Sequence, residues 1–363
     1  MNMERRAHSH RDRPELILTE AGLPYLTAGV PGIGGRIRTL PEDFRVDEQP
    51  LYLPCGDGEH LYLRVTKRRL TTHQMVARFA SSLGIKARCI GVAGLKDANA
   101  VTTQMVSVQG VAPDAIGRLR PDDQILSVEV LGRHRNRLRT GHHRGNAFRL
   151  VVRGVHPAAS TRAPAVLEVL SRRGVPNYFG PQRQGRSGIN YQVGAALLGD
   201  ERRRAKLPKH QRLWYLHAYQ SFLFNRVLAS RIDRIDRVLA GDWAMKHDNG
   251  ACFRVEDAAA EQPRAEAFEI SPTGPLFGSR APWASGEPGD IERAAAAELW
   301  ATPESLSRAA ADCRFRGERR SLRVRPEGLE WRLSGDELSL SFTLPPGAYA
   351  TSVLRELMKT DVK

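Results

Sequence analysis

The sequence predicts an α+β fold in which one domain interrupts another, and three observations carry that prediction. Strand-like texture dominates residues 36 to about 155, helical texture broken by Pro and Gly dominates about 176–310, and strands return after about 312. Residues 1–175 together with 312–363 are therefore expected to form one domain, and 176–311 an insert. A length of 363 residues is room for roughly two domains. No internal repeat at solenoid or propeller periods is present.

Taken in order, residues 1–35 are a basic start ending in Pro31-Gly32-Ile33-Gly34-Gly35. That spacing does not match GxGxxG and no apolar strand precedes it, so a turn is expected. Pro41-Glu42-Asp43 reads as a second turn, and residues 61–65 as a strand. Thr71 and Gln74 have the spacing of a capping box. Met75, Val76, Phe79, Ala80 and Leu83 then share one helical face, and Gly84 supplies the stop. Residues 101–108, 125–131 and 148–155 read as strands. A helix is expected over 162–173, with Ala163, Val166, Leu167 and Leu170 inward and Gly174 ending it. Within the insert, 213–231 is helical, Arg202-Arg203-Arg204 with Lys206 and Lys209 is a charge run, and 262–290 is broken by Pro and Gly. Residues 330–333 and 337–344 read as a hairpin about Ser334-Gly335-Asp336. Thr351 or Ser352 is expected to cap a closing helix over 353–358.

Composition narrows the function. The 55 Lys+Arg exceed the 40 Asp+Glu, leaving a formal charge of +15, which points to a polyanionic partner, nucleic acid above all. There is no membrane-length apolar run, no secretory signal in the first twenty residues, and no Walker A or HExxH motif. Cys55, Cys89, Cys252 and Cys313 lie far apart, without zinc or disulfide spacing, as expected of reduced thiols in a cytoplasmic protein.

Three stretches could carry chemistry. Residues 91–104 place Asp97 on a turn between two β-type runs, a rigid way to present a catalytic acid, although a Lys-Asp turn can equally be solvated. Residues 36–48 hold Arg38 and Phe44, the latter either a core aromatic or a stacking one. Residues 133–149 carry six Arg and three His with no acid, including Arg133, Arg135, Arg137, Arg139 and Arg144, and are expected to hold phosphates. His142 and His143 are adjacent, so they point to opposite faces of a strand, and no metal site is expected.

Together these stretches resemble the TruD family of tRNA pseudouridine synthases. The carrying motifs are PEDFRVDE at 41–48, GLKDANAVTTQ at 94–104, RGNAFRL at 144–150, VPNYFGPQR at 175–183 and LPPGAYATSVLREL at 344–357, in family order and over about residues 30–358. The resemblance implies a catalytic domain with a mixed, mainly antiparallel sheet made from both ends of the chain, and an inserted family-specific α/β domain. It implies isomerisation of a tRNA uridine, uridine 13 of the dihydrouridine arm, with no cofactor, no membrane and no protein partner. It implies Asp97 as catalytic aspartate, Phe44 and Tyr349 as stacking aromatics, and Asn146 at the uracil edge. It implies Arg38 as the ionic partner of Asp97, with Lys96 the alternative.

That chemistry breaks C1′–N1, rotates the uracil and rejoins it through C5, with atoms conserved and no electrons gained or lost. One carboxylate can act as nucleophile or base. It must be ionised despite the partial burial expected here, and a guanidinium beside it favours the charged form. The base must leave its stack, and aromatic rings offset part of that cost. Two other classes compete: an RNA-binding module without catalysis, and a methyltransferase using the turn at 31–35.

Overall fold

In the computed structural model, the described residues are 22–185, 188–199, 206–298, 302, 304, 306 and 316–360. The run Arg202-Arg203-Arg204, the first 21 residues and Cys313 lie outside them. The strands are β1 (Phe44–Pro50), β2 (His60–Arg68), β3 (Ile90–Val92), β4 (Val101–Gln109), β5 (Ile125–His134), β6 (His143–Arg153), β7 (Val175–Pro176), β8 (Trp243–Lys246), β9 (Cys252–Arg254), β10 (Ile270–Leu276), β11 (Glu318–Ser321), β12 (Arg323–Val324), β13 (Glu327–Ser334) and β14 (Glu337–Leu344). The principal helices are α1 (Thr72–Leu83), α2 (Ala159–Arg173), α3 (Asn190–Gly199), α4 (Lys209–Ser230), α5 (Ala258–Glu266), α6 (Gly286–Ala297) and α7 (Ala350–Met358).

The fold is α+β. One eight-stranded sheet runs β13-β14-β6-β1-β4-β2-β5, with β3 also on β4. Its pairings are antiparallel except for β1 with β4, so residues from both ends of the chain meet in one mixed sheet. Phe44, Val46, Phe148, Leu150 and Val152 pack with residues of α2 and α7 in one core. Met75, Phe79 and Leu83 of α1 close a second core over β2, β3 and β4. The capping box on α1 forms as expected, with Gln74 N–H donating to Thr71 Oγ1 and Gly84 in the left-handed conformation at the other end. The turn before residue 36 rests on α7, where Ile33 N–H donates to Leu357 O at 2.9 Å.

The second sheet runs β11-β10-β8-β9, and α4 packs against β10. Residues 270–276 lie in the stretch expected to be broken, yet they form a fully buried strand. The reason is local: Pro272 has no N–H to offer, but its carbonyl accepts from Leu322 N–H at 2.9 Å, so the strand tolerates it. The second sheet also takes in β11, from residues on the far side of the expected 311/312 boundary. Strands β7 and β12 pair antiparallel as a separate two-stranded sheet. Two ends differ from expectation. Helix α2 begins at Ala159, three residues early, and Tyr349 occupies the N-cap of α7, so neither Thr351 nor Ser352 caps it.

Candidate active site

Asp97 sits on the loop between β3 and β4, and the loop is pinned from several sides. Thr72 Oγ1 accepts from Lys96 N–H at 2.9 Å and donates to Gln104 Oε1 at 3.1 Å. Lys67 Nζ donates to the Asp97 carbonyl at 3.2 Å and also to Leu70 O. Gly91, before the loop, must be glycine: a Cβ there would lie 2.3 Å from Leu138 O. The result is a rigid turn presenting a carboxylate whose side chain is 59% exposed. The partial burial expected for this acid is therefore absent: its loop is fixed through the backbone while the side chain faces solvent.

Arg38 meets it. Its Nη2 donates to Asp97 Oδ2 at 3.1 Å, and its guanidinium lies 4.2 Å from the centroid of Phe44. Arg38 has a positive φ of 56°, an uncommon backbone for Arg that the surrounding turn must hold. Asp43 helps hold it. Asp43 is buried, accepts from Leu40 N–H at 2.9 Å and takes a forked hydrogen bond from Arg153. Burial pushes the Asp43 carboxyl up, but the hydrogen bonds from Arg153 and Leu40 outweigh it and hold the group below the usual carboxylate range.

Lys96 points elsewhere. Its Nζ lies 2.7 Å from Glu48 Oε2, with both side chains buried, and donates to Asn146 Oδ1 at 2.9 Å. Glu48 Oε1 accepts from Met105 N–H at 3.0 Å. Asn146 lies opposite Glu48 across β1 and β6, and opposite Leu344 across β6 and β14. The preceding Gly145 allows that approach, since a Cβ there would meet Leu344 O at 2.3 Å. His143 is part of the same surroundings, and burial, then Lys96, push its imidazole down. Of the two expected partners for Asp97, Arg38 makes the contact and Lys96 does not.

The structure thus brings together Arg38, Asp97 and Phe44, and separately Lys96, Glu48 and Asn146. Phe44, expected as a stacking ring, is 2% exposed and edge-on to Phe148 at 6.3 Å, with Arg38 lying over its face. Tyr349 lies in another pocket, packed on Phe179 at 6.3 Å. Its hydroxyl makes no hydrogen bond among the described residues.

The positive stretch 133–149 is less free than its composition suggests. Arg135 is paired with Asp57 at 2.7 Å and Arg149 with Asp47 at 2.6 Å, acids brought in from β1 and the loop after it. Arg133 donates to the carbonyls of Gly58 and Val111, and Arg137 to Ile90 O at 2.7 Å. Arg139 and Arg144 are exposed and make no ion pair among the described residues. Among those residues no three His, Cys, Asp or Glu gather as metal ligands would, and no helix is long and apolar enough to cross a membrane.

Sequence reasoning missed Lys67 and Glu48. A signal existed. Leu61, Leu63, Val65 and Lys67 share one face of β2 at period two, as Phe44, Val46 and Glu48 do on β1, and all are buried. A charge continuing an inward apolar series is a buried charge with a partner to be found.

A mixed sheet completed by the C-terminal hairpin, a second four-stranded sheet, and an Arg–Asp pair on the loop between β3 and β4 define an α+β protein with a candidate site at that loop. The family model for tRNA pseudouridine synthase D (TruD) matches residues 20–206 and 201–357, and the chain belongs to that family. Among its relatives, tRNA pseudouridine synthase D of Geobacter sulfurreducens is 44% identical, the match covering 92% of this chain and 96% of the relative. That of Anaeromyxobacter dehalogenans is 46% identical over 94% of this chain and 98% of its own. The crystal structure of the Methanosarcina mazei chain assigned as tRNA pseudouridine synthase D superposes with a TM-score of 0.77 at 26% identity, covering 94% and 97% of the two chains.

Proposed function

We propose that this chain is a tRNA pseudouridine synthase, acting on uridine 13 of the dihydrouridine arm with Asp97 as its catalytic group. The observation that carries the reading is the Arg38–Asp97 pair at 3.1 Å on an exposed, backbone-pinned turn. Asp97 is the nucleophile or base that acts as C1′–N1 breaks. Arg38 pairs with the carboxylate and holds it in line. The uridine is flipped out of the arm to reach the turn. Asn146, with its Oδ1 already accepting from Lys96, keeps its amide N–H groups to donate to a uracil carbonyl. In the free chain Arg38 covers Phe44, so that ring serves first as the seat of the guanidinium. It meets a base only if Arg38 swings aside. Tyr349 supplies the second ring, and Arg139 and Arg144 contact the RNA backbone; Arg133 and Arg137 act mainly by packing, and Arg135 through its pair with Asp57. The chain is proposed to work in the cytoplasm, with residues 1–175 and 312–363 as catalytic domain, apart from β11, which joins the second sheet.

Mapping pseudouridine in tRNA from cells with and without this protein tests the reading. Loss at position 13 alone is the expected result. Loss at another position overturns the assignment of the site, and no change in tRNA overturns the function.

A further inference from the structure

Between α4, β11 and the turn before α7 lies a pocket of about 510 Å³ that no part of the mechanism above uses, apart from Tyr349 at its wall. Its lining includes Arg183, Arg316 and Arg320, with His217 and Glu318. The three guanidiniums face one carboxylate, so the pocket carries excess positive charge. They are not equivalent. Arg320 is committed: its Nη2 donates to Gly347 O at 2.9 Å and to Asn177 O at 3.2 Å, and its guanidinium lies 4.1 Å from the Phe179 centroid. It ties β11 to the turn that carries Tyr349. Arg183 lies over an aromatic face, 5.5 Å from the Phe179 centroid. Arg183 and Arg316 make no ion pair among the described residues. Structural arginines elsewhere are held either in buried salt bridges, as in Arg231–Asp242 and Arg319–Glu292, or by carbonyls, as Arg323 is by Arg173 O and Ala265 O.

Two unpaired guanidiniums facing one pocket, with an aromatic wall, suit a phosphate joined to a base. A free anion would need no ring, and an acidic peptide would have to place its carboxylate beside Glu318. Resting on the reading of Tyr349 as the ring that meets the flipped uracil, we propose that Arg183 and Arg316 together bind one RNA phosphodiester flanking the target uridine. The insert would then grip the strand next to the extruded base, and Arg320 would keep that grip in register with Tyr349. Bound this way, the phosphate offers its two non-bridging oxygens to two separate arginines.

The test uses the full chain and a tRNA transcript carrying a single neutral methylphosphonate linkage, placed either 5′ or 3′ to the target uridine. With unmodified RNA, Arg183→Gln and Arg316→Gln each weaken binding by about tenfold, the scale of one charge-assisted contact. With wild-type protein, one of the two linkages weakens binding by up to about a hundredfold, since it removes both arginine contacts at once. Each Gln variant combined with that linkage loses nothing further, because the same contact has been removed from both sides. Arg183→Lys and Arg316→Lys, which keep the cation, recover most of the affinity. Additive losses with both linkages overturn the proposal, as does wild-type affinity in both Gln variants. Equal affinity loss in the Gln and Lys variants with a lowered melting temperature assigns these residues to packing and overturns it too. The functional reading fails separately, if wild-type protein forms no pseudouridine in the unmodified transcript.

Discussion

Lys96 and Asp97 are consecutive residues of one turn, yet their surroundings are opposite. The Lys96 side chain is 5% exposed, against a Glu48 side chain that is 1% exposed, and Asn146 completes its contacts. Asp97 is 59% exposed and held by one guanidinium. The difference teaches how one turn divides its labour. A buried charge pair contributes little net stability, but breaking it leaves an uncompensated charge, so it fixes position. An exposed pair is weak and screened, so its members are free to exchange partners when substrate arrives. The rigid half of the turn aims the reactive half.

The comparison can be broken at either end. Asp97→Asn is expected to abolish turnover while tRNA affinity stays within a few fold and the urea midpoint is unchanged, since the amide keeps the shape but cannot serve as nucleophile or base. A single-turnover assay with a filter-binding isotherm checks it, and activity above a small fraction of wild type would reject Asp97. Lys96→Met is expected to act through the fold. Leaving Glu48 buried and unpaired costs about 3–5 kcal/mol, read from urea unfolding. An unchanged midpoint would show that water reaches Glu48 and that the pair is not structural.

Lys67 sharpens the contrast because it is buried with carbonyl partners. Burial pushes its amine down to about 8, Asp97 pulls the other way, and Lys96 adds to the fall. The unfolded chain's lysine titrates near 10.4, so between about pH 8 and that value the unfolded state binds the extra proton. Stability therefore gains from this group as pH rises through that window. Lys67→Met should remove this gain, so the difference in urea midpoint between wild type and variant should move in favour of wild type from pH 8 to pH 10. A constant difference would place the titration elsewhere.

Smaller effects are expected farther from the turn. Tyr349→Ala should lower kcat more than affinity, on the scale of about 1–3 kcal/mol for a lost stacking ring, and Tyr349→Phe should be mild. Equal damage from both would assign the hydroxyl a role. Arg139→Gln with Arg144→Gln should reduce the slope of log K against log salt by roughly 0.7–0.9 per contact. No change in slope, in a normally folded protein, would move the RNA backbone to another surface.

Most local structure was legible from the residues. The Thr71–Gln74 capping box, the inward face of α1 and the hairpin about Gly335 all follow from spacing, because each is decided within a few residues. What was hidden depends on partners far along the chain. Asp57 neutralises Arg135 from a loop 78 residues away, so a stretch without acids is not an uncompensated one. Asp97 and Arg38 could be paired only through the family resemblance, because 59 residues separate them. Phe44 reads the same from sequence whether its face is open or covered. Strand β10 was obscured because Pro272 and Pro275 count against a strand unless their missing N–H groups are known to be unneeded.

The pairing of β14 along β6, from Glu337 with Arg153 to Leu344 with Asn146, sets an order of assembly. During synthesis β6 emerges long before its partner, and the entire insert is made in between. Throughout that interval β6 presents a row of unpaired N–H and C=O groups, a template for any other nascent strand. The main sheet cannot be sealed early, because β6 and β14 are joined across about half of the chain, whereas the insert's local helices can form first. A chain cut short of residue 337 would thus retain Arg38, Asp97 and Asn146, and yet be left with a sticky edge in place of a finished sheet.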